Sequence, residues 1–282
     1  DDYNLGIKNG VDIVQTVQDD GRYNHHAKGF ENEHIYKVDD KIAEKLKEFS
    51  KLLFKGTLRH SYPHSWRSKA RLIYRNTPQW FISMEKNKLR DIALKSIDET
   101  VFYPPQGQTR LRSMIETRPD WCVSRQRVWG VPLPLFVSKE TGQPLRDLEV
   151  VERIADIYEE EGSDTWFTED PQRFLGEKYN LEDYDQVKDV VEVWFDSGST
   201  HAFCLEKRED LKWPASMYLE GSDQHRGWFQ SSLLTSCAMN EKAPYKALLT
   251  HGFVVDGQGY KMSKSKGNVI APQKIMDQYG AD

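Results

Sequence analysis

The sequence predicts an α/β protein whose functional residues lie at one edge of a parallel sheet. Residues 217–219 form a short apolar strand that ends at Glu220-Gly221, and residues 247–255 form a second apolar strand. The helix between them is predicted to place one set of residues on a single side: Trp228, Phe229, Ser232, Leu233 and Ser236. A strand, a helix and a strand joined by a right-handed crossover make a parallel sheet, and ligands bind beyond the carboxyl ends of its strands.

Two earlier segments have the apolar spacing of helices. One is residues 40–54, with Asp39 or Asp40 as its expected cap and Gly56 as its end, and the other is residues 87–97. Residues 145–189 are rich in acidic side chains. They are predicted to form a helical insertion with a solvated face.

The composition is typical of a globular protein that works in water. It has 38% hydrophobic and 12% aromatic residues, and its net charge of −5 argues against a general nucleic-acid binder. No apolar run approaches the roughly 18 residues of a membrane span, and the first residues do not resemble a signal peptide. A cytoplasmic location is therefore expected. Cys122, Cys204 and Cys237 are too scattered for a disulfide framework and are expected to be reduced core residues.

A basic loop follows the second strand. Residues 261–268 contain three lysines, two serines and a Gly-Asn pair, and they come after the turn-prone residues 256–259. Such a loop can neutralise phosphates during nucleotidyl transfer, a reaction in which positioning and electrostatics supply most of the catalysis. Composition alone would favour the alternative, a solvated lysine loop. The polar residues at the two strand ends favour the catalytic interpretation.

Four segments, taken in order along the chain, resemble the isoleucyl-tRNA synthetases, a family of class I aminoacyl-tRNA synthetases. They are residues 121–132 (WCVSRQRVWGVP), 194–199 (WFDSGS), 218–229 (YLEGSDQHRGWF) and 261–265 (KMSKS). The resemblance extends over nearly the whole chain. The third segment separates the chain from the valine and leucine relatives, which resemble it less there.

The resemblance implies roles for the polar residues that end the first strand. Glu220 would contact the aminoacyl-adenylate beside Gly221, while Asp223 and Gln224 would contact the amino acid or the ribose. A carboxylate such as Glu220 suits an ammonium or hydroxyl partner. Acidic residues also cap helices, so a capping role for Glu220 or Asp223 is the alternative.

The resemblance also places the second strand end and the lysine loop at ATP. His251 and Gly252 would lie near the adenine. Lys261 and Lys264 would hold the ATP phosphates with Met262 between them, and Lys264 would stabilise the transition state. Lysine suits this work because its ammonium is a mobile point charge.

Three further residues are assigned by the resemblance alone. Trp194 and Trp228 would wall the isoleucine pocket, although core packing is the alternative for both, since the chain has eight tryptophans. Asp2 would be the editing-site aspartate that holds the amino group of a mischarged amino acid. Its histidine and threonine partners are not found in the sequence around it.

The implied fold is the second half of a Rossmann-like catalytic domain with part of the editing insertion. Residues 1–60 would be the C-terminal part of the editing (CP1) domain and 61–145 a return segment into the catalytic core. Residues 146–190 would be the small acidic insertion, and 191–282 the second catalytic half with the KMSKS loop. The family's ATP-binding His-x-Gly-His motif does not occur in the sequence. The chain is accordingly expected to be a fragment, inactive by itself.

Metal binding through thiolates is not expected. Many relatives have cysteines around a Trp-Arg pair, but this chain has His64-Ser65-Trp66-Arg67-Ser68 there. The resemblance implies ATP and Mg²⁺ as cofactors, and no zinc site is expected within this chain.

The intact enzyme would be a monomeric ligase that activates isoleucine with ATP, transfers it to tRNA(Ile) and hydrolyses mischarged valine. One alternative is a non-catalytic fragment that binds nucleotide or tRNA. Another is a different class I synthetase, such as the valine enzyme.

Overall fold

The computed structural model describes residues 2–65 and 68–281. The chain divides into two compact units, Asp1–Pro78 and Gln79–Asp282. The predicted site residues, except Asp2, all belong to the second unit.

The first unit contains two helices, α1 (Asp2–Lys8) and α2 (Asp39–Glu48), and a 3₁₀ turn at Ile35–Lys37. Helix α2 is shorter than predicted. Val38 is its N-cap, without a side-chain hydrogen bond, so the prediction that Asp39 or Asp40 caps it was wrong. The helix cannot extend to residue 54, because Ser50 adopts a left-handed φ of 55° and Leu53 is fully exposed. An apolar face without a packing partner does little to sustain a helix.

The second unit contains the remaining regular elements. The helices are α3 (Leu89–Asp98), α4 (Gln106–Glu116), α5 (Leu148–Glu161), α6 (Thr165–Thr168), α7 (Pro171–Leu175), α8 (Val193–Gly198), α9 (Trp228–Asn240) and α10 (Pro272–Tyr279). The strands are β1 (Phe81–Ile82), β2 (Val101–Tyr103), β3 (Trp121–Cys122), β4 (Ser124–Arg125), β5 (Phe136–Ser138), β6 (Tyr184–Gln186), β7 (Val190–Val191), β8 (Tyr218–Gly221) and β9 (Ala247–His251). Helix α3 confirms the helix predicted at residues 87–97.

Three strands form the predicted parallel sheet, in the order β2-β9-β8. Val101 pairs with Ala247, and Gly221 pairs with His251, so the three carboxyl ends share one edge. Strand β9 ends at His251 and not at residue 255. Strand β8 ends opposite His251 and β2 ends opposite Leu249, and the chain beyond β9 pairs with the lysine loop through Val255 and Lys261.

Helix α9 is buried on every side, and not only on the side that the sequence groups together. All nine residues from Phe229 to Cys237 are buried. Gly198 of α8 lies against Ser231, and Cys237 lies 3.5 Å from the Ser96 hydroxyl of α3. Three of the buried hydroxyls of α9 bond to backbone carbonyls: Ser231 to Trp228, Thr235 to Ser231 and Ser236 to Lys242.

The acidic insertion has a hydrophobic core of its own. Trp166, Phe174 and Leu175 are fully buried there, together with Ile154 of α5. Antiparallel strands β5 and β6 close its base, with Phe136 opposite Gln186. The predicted solvated face is present on α5, whose acidic residues are exposed, but the other face packs a core that the acidic composition did not indicate.

Two smaller expectations concern cysteines and membranes. The three cysteines are free, and Cys237 is buried while Cys122 and Cys204 are partly buried. Across residues 2–65 and 68–281, no helix has both the length and the apolar character needed to cross a membrane.

Candidate active site

The carboxyl edge of the sheet brings together residues from β8, β9 and the turn that follows β8. A Cβ atom on Gly221 would lie 2.7 Å from Asp223 Oδ1 and 4.0 Å from His251 Cε1. Glycine at position 221 therefore lets the Asp223 carboxylate approach the backbone. His251 and Asp223 are both exposed at this edge, and nothing lies within 4 Å of a Cβ built on Gly252. An open polar edge of this kind can accept a ligand.

Neither Glu220 nor Asp223 caps helix α9. Oε2 of the exposed Glu220 accepts a hydrogen bond from the Gly221 backbone N–H at 2.9 Å. Gln224 caps the helix instead, since its Oε1 accepts from the Trp228 backbone N–H at 3.0 Å. The Gln224 side chain is thus held in place by the first turn of α9.

The two predicted pocket tryptophans meet at Gly227. A Cβ on Gly227 would lie 2.7 Å from the Trp194 ring and 2.6 Å from Gln224 Oε1. Trp228 stacks on Tyr218, with ring centroids 4.0 Å apart, and donates its indole N–H to the Ser197 carbonyl at 3.0 Å. Trp194 remains 41% exposed. Trp228 is therefore fixed by packing, while Trp194 offers a free apolar face.

A buried carboxylate anchors the helix that carries Trp194. Glu192 is only 7% exposed, accepts from the Trp121 indole N–H at 2.7 Å and pairs with Arg125 at 3.2 Å. Its backbone N–H bonds to the Val123 carbonyl at 2.8 Å. Burial, together with the nearby charge of Glu192, raises the pKa of Asp196 above its usual range. Glu192 thus ties α8 to β3 and β4.

His225 holds the turn that presents Asp223 and Gln224. The ring is 2% exposed, and its Nδ1 lies 2.8 Å from the Ser222 carbonyl. Burial lowers the pKa of His225 below its usual range, so the ring is neutral and donates from Nδ1. Its Nε2 faces Gly107 at the start of α4, where a Cβ would approach within 3.1 Å. Gly107 therefore makes room for the histidine.

The lysine loop is a hairpin followed by a 3₁₀ turn at Lys264–Lys266. The Lys261 ammonium lies 3.4 Å from the centroid of the Phe253 ring, a cation–π contact. Lys264 is exposed in the 3₁₀ turn, and Met262 bonds through its backbone N–H to the Val254 carbonyl at 3.0 Å. Among the described residues, no hydrogen bond or ion pair joins Lys261 or Lys264 to the polar sheet edge.

Some sequence expectations fall outside the described part of the chain. Trp66 and Arg67 are not described, and neither is the side chain of Asp2, whose backbone begins α1. Within the part that is described, no group of three or more His, Cys, Asp or Glu side chains could hold a metal ion.

The family model for class I tRNA synthetases (I, L, M and V) matches residues 13–282. The chain belongs to this family. This synthetase chain is 64% identical, over its whole length, to the isoleucine--tRNA ligase of Pelagibacter ubique (strain HTCC1062), of which it covers 31%. It is 52% identical to the isoleucine--tRNA ligase of Gluconobacter oxydans (strain 621H), again over its whole length and over 30% of that protein. It thus spans about a third of the length of these relatives.

Among solved structures, the synthetase chain is similar to a Mycobacterium tuberculosis methionyl-tRNA synthetase in complex with methionyl-adenylate. The TM-score is 0.46 and the identity is 18%, over 79% of this chain and 35% of that one. Independently of that structure, membership of the family and the parallel sheet confirm the predicted α/β, Rossmann-like fold.

The sequence of this synthetase did not reveal the roles of Glu192 and His225. Both residues lie in or beside the segments that carry the family resemblance. However, the Trp121 partner of Glu192 is distant in sequence, and the partner of His225 is a backbone carbonyl, which any residue provides. The Trp121–Glu192 hydrogen bond spans 71 positions. One available signal was a glutamate directly before an apolar and aromatic run, where an acidic residue is expected to be buried only if it is paired.

Proposed function

We propose that the chain is a segment of an isoleucine--tRNA ligase. The intact enzyme activates isoleucine with ATP and transfers it to tRNA(Ile). The observation that carries the proposal is the meeting of Trp194, Trp228 and Gln224 at Gly227, directly beside the polar sheet edge. An apolar wall next to groups that bind polar ligands suits an aliphatic amino acid joined to a nucleotide. Identity of 64% to a named isoleucine--tRNA ligase supports the same conclusion.

The chemistry of the proposed reaction requires no protein nucleophile. The isoleucine carboxylate attacks the α-phosphorus of ATP, which gives isoleucyl-adenylate and releases pyrophosphate. A tRNA hydroxyl then takes the aminoacyl group and releases AMP. The protein contributes alignment and charge stabilisation. The ammonium of Lys264, together with Lys261, would stabilise charge on the departing pyrophosphate.

Glu220, Asp223 and Gln224 differ in their freedom to bind substrate. The Glu220 and Asp223 side chains are exposed and retain oxygen atoms for an ammonium or a ribose hydroxyl. Gln224 already accepts one hydrogen bond from α9 through Oε1, whereas its amide N–H groups are both left for a ligand. We assign Gln224 as a donor toward the aminoacyl-adenylate.

Magnesium would accompany the ATP phosphates. When bound, it neutralises phosphate charge and orients the phosphates. Mg²⁺ usually binds through one or two carboxylates together with substrate phosphates and water, so it needs no dedicated cage of protein ligands.

An apolar pocket discriminates only weakly between amino acids whose side chains differ by one methylene. One methylene in an apolar pocket is worth about 1–3 kcal/mol, a limit established on enzymes of this very kind and not a result of this structure. A pocket walled by Trp194 and Trp228 would therefore admit valine at times. Hydrolytic editing would then remove the mischarged valine, and Asp2 would hold its amino group.

The domain boundaries stay as proposed from the sequence, with residues 1–60 belonging to the editing domain and 191–282 to the second catalytic half. We also propose a monomeric, cytoplasmic enzyme. The resemblance to isoleucine--tRNA ligases over the whole chain supports this assignment.

Isoleucine-dependent exchange of pyrophosphate into ATP tests the proposed function. The full-length protein should exchange with isoleucine at a kcat/KM about 10–200-fold above that with valine. Preference for valine would overturn the isoleucine assignment. The 282-residue chain alone should bind ATP without exchange, since it contains no His-x-Gly-His motif. Exchange by the chain alone would show that this motif is dispensable.

A further inference from the structure

We propose that Asp256 and Asn268 are positioning residues that fix the backbone of the lysine loop. The inference rests on the proposed function and extends it, because it assigns a task to two residues outside the Lys261–Ser265 motif. Their side chains hydrogen-bond to each other across the base of the loop, between Asn268 Nδ2 and Asp256 Oδ2 at 2.8 Å.

Asp256 shapes the turn that precedes the lysines. Its Oδ1 accepts from the backbone N–H groups of Gln258 and Tyr260, at 3.0 and 2.9 Å. Its own N–H bonds to the Tyr260 carbonyl at 2.9 Å, which closes the hairpin. One carboxylate oxygen therefore holds the turn, and the other is left for Asn268.

Asn268 ties that turn to the lysine motif. Its Oδ1 accepts from the Ser263 backbone N–H at 2.9 Å, and its Nδ2 also lies 3.3 Å from the Lys261 carbonyl. Gly267 adopts a left-handed φ of 68°, which returns the chain to the base of the loop. The Asn268 side chain thus grips the backbone on both sides of Met262.

The Asp256–Asn268 pair holds the backbone of the lysine loop and leaves the lysine side chains free. In the described part of the chain, the Lys264 ammonium has no ion pair, and the Lys261 ammonium rests on the Phe253 ring. Hydrogen bonds from Asn268 and from the backbone lower the pKa of Asp256, so its carboxylate stays ionised at neutral pH. A loop with a fixed backbone and mobile ammoniums can present charge to phosphates at a defined place. Misplacement by about 1 Å can slow an enzyme about a hundredfold.

Exchanging the two side chains isolates this interaction. In Asp256→Asn, an amide faces the Asn268 amide, and two donors meet. In Asn268→Asp, two carboxylates face each other. The double variant Asp256→Asn/Asn268→Asp restores a donor opposite an acceptor, keeps an oxygen for the N–H groups of Gln258 and Tyr260, and keeps an oxygen for the Ser263 N–H. It does not restore the 3.3 Å contact from position 268 to the Lys261 carbonyl, so the expected recovery is partial.

Isoleucine-dependent pyrophosphate exchange by the full-length enzyme measures the effect. Each single variant should lower kcat about tenfold to a hundredfold, with the KM for isoleucine unchanged. The double variant should be about tenfold or more faster than the slower single variant. Asn24→Ala is the matched control, because Asn24 also clamps backbone at two points, the Gln15 carbonyl and the His26 N–H. The control should leave kcat unchanged.

The outcomes distinguish a failure of the positioning role of Asp256 and Asn268 from a failure of the proposed function. Single variants with wild-type kcat, or a double variant as slow as the product of its singles, would overturn the positioning role. Loss of isoleucine binding equal to the loss of kcat would indicate general damage and would also overturn it. If the wild-type enzyme exchanges with another amino acid, the isoleucine assignment fails, and the same comparison with that amino acid still tests the pair.

Discussion

Gly198 lies where helix α8 passes closest to α9. A Cβ atom there would meet the backbone carbon and oxygen of Ser231 at 2.9 Å, closer than real Cβ atoms approach. The obstruction is backbone and not a flexible side chain, so the helices themselves must move. Because Trp194 is carried by α8, the distance between these helices also sets the position of the proposed pocket wall.

Gly198→Ala should therefore destabilise the protein by about 1–3 kcal/mol, the usual cost of overpacking. Urea unfolding measures the change. Gly257→Ala is the control, since nothing lies within 4 Å of its Cβ and its φ is not in the left-handed region. Equal midpoints for the two variants would show that α8 and α9 separate without cost.

At the residue scale, the sequence predicted those site residues that stand in contiguous segments. The assignments of Glu220, Asp223, Lys261 and Lys264 came from the family resemblance and remain proposals. What could not be predicted was which side chains hold them. The Gln224 cap depends on the conformation of a turn, and the Glu192 network joins segments that only the fold brings together.

Helix α5 of the insertion begins at a carboxylate with three kinds of partner. Asp147 accepts from the Glu149 backbone N–H at 3.0 Å, from Lys178 at 2.6 Å and from the Tyr179 hydroxyl at 2.7 Å. These bonds, led by that from Lys178, lower the pKa of Asp147 from 3.8 to about 2. The carboxylate therefore links the start of α5 to the segment that follows α7.

A depressed pKa stabilises the folded state above the unfolded pKa, and the gain is lost as the pH falls from about 4 to about 2. Asp147→Asn should lower the urea midpoint at pH 7, and the difference from wild type should shrink as the pH approaches 2. Asp185→Asn is the control, because its contact to Lys139 is 3.9 Å long and exposed. A difference that is constant with pH would contradict the role of the Asp147 charge.

At the element scale, apolar spacing predicted which segments are helices and strands better than where they end. Helix α2 and strand β9 both stop before their apolar runs end. The residues beyond α2 find no packing partner, as the fully exposed Leu53 shows, whereas the residues beyond β9 pair with the lysine loop through Val255 and Lys261. Helix α9 differs in another way. Its residues Phe229 to Cys237 are all buried although four of them are serine or threonine, and the Thr235 hydroxyl bonds back to the Ser231 carbonyl within the helix.

The whole chain contains a long segment without helix or strand, residues 51–63, in the first unit. Its apolar side chains gain little from burial, since Leu53 is fully exposed and Phe54 is 82% exposed. Segments with few buried contacts open most readily. The basic residues in this segment are Lys51, Lys55 and Arg59.

Limited trypsin digestion of the 282-residue chain should cut first at Lys51, Lys55 or Arg59. Mass spectrometry of the early products identifies the sites. Lys95 provides an internal comparison, because it is also an exposed lysine but lies inside helix α3. Initial cleavage at Lys95 would contradict the expected order of opening.

At the scale of the molecule, the fold class and the family could be predicted, because a strand–helix–strand pattern and four motifs can be recognised in a single sequence. The division at Pro78 could not. The boundary between two units depends on how many contacts join residues on its two sides. The spacing of apolar residues does not indicate that number. The separate core of the insertion was hidden for a similar reason, since Trp166 and Phe174 stand among acidic residues.

The β5–β6 pair gives that insertion a particular evolutionary freedom. Its entry and exit strands lie side by side, with Phe136 opposite Gln186 and Ser138 opposite Tyr184. An insertion whose two ends are adjacent can be lengthened, shortened or replaced by a tight turn while those ends keep their spacing. Evolution could therefore change this insertion independently of catalysis. A protein engineer could use the β5–β6 pair as the attachment site for a sensor domain or an affinity tag.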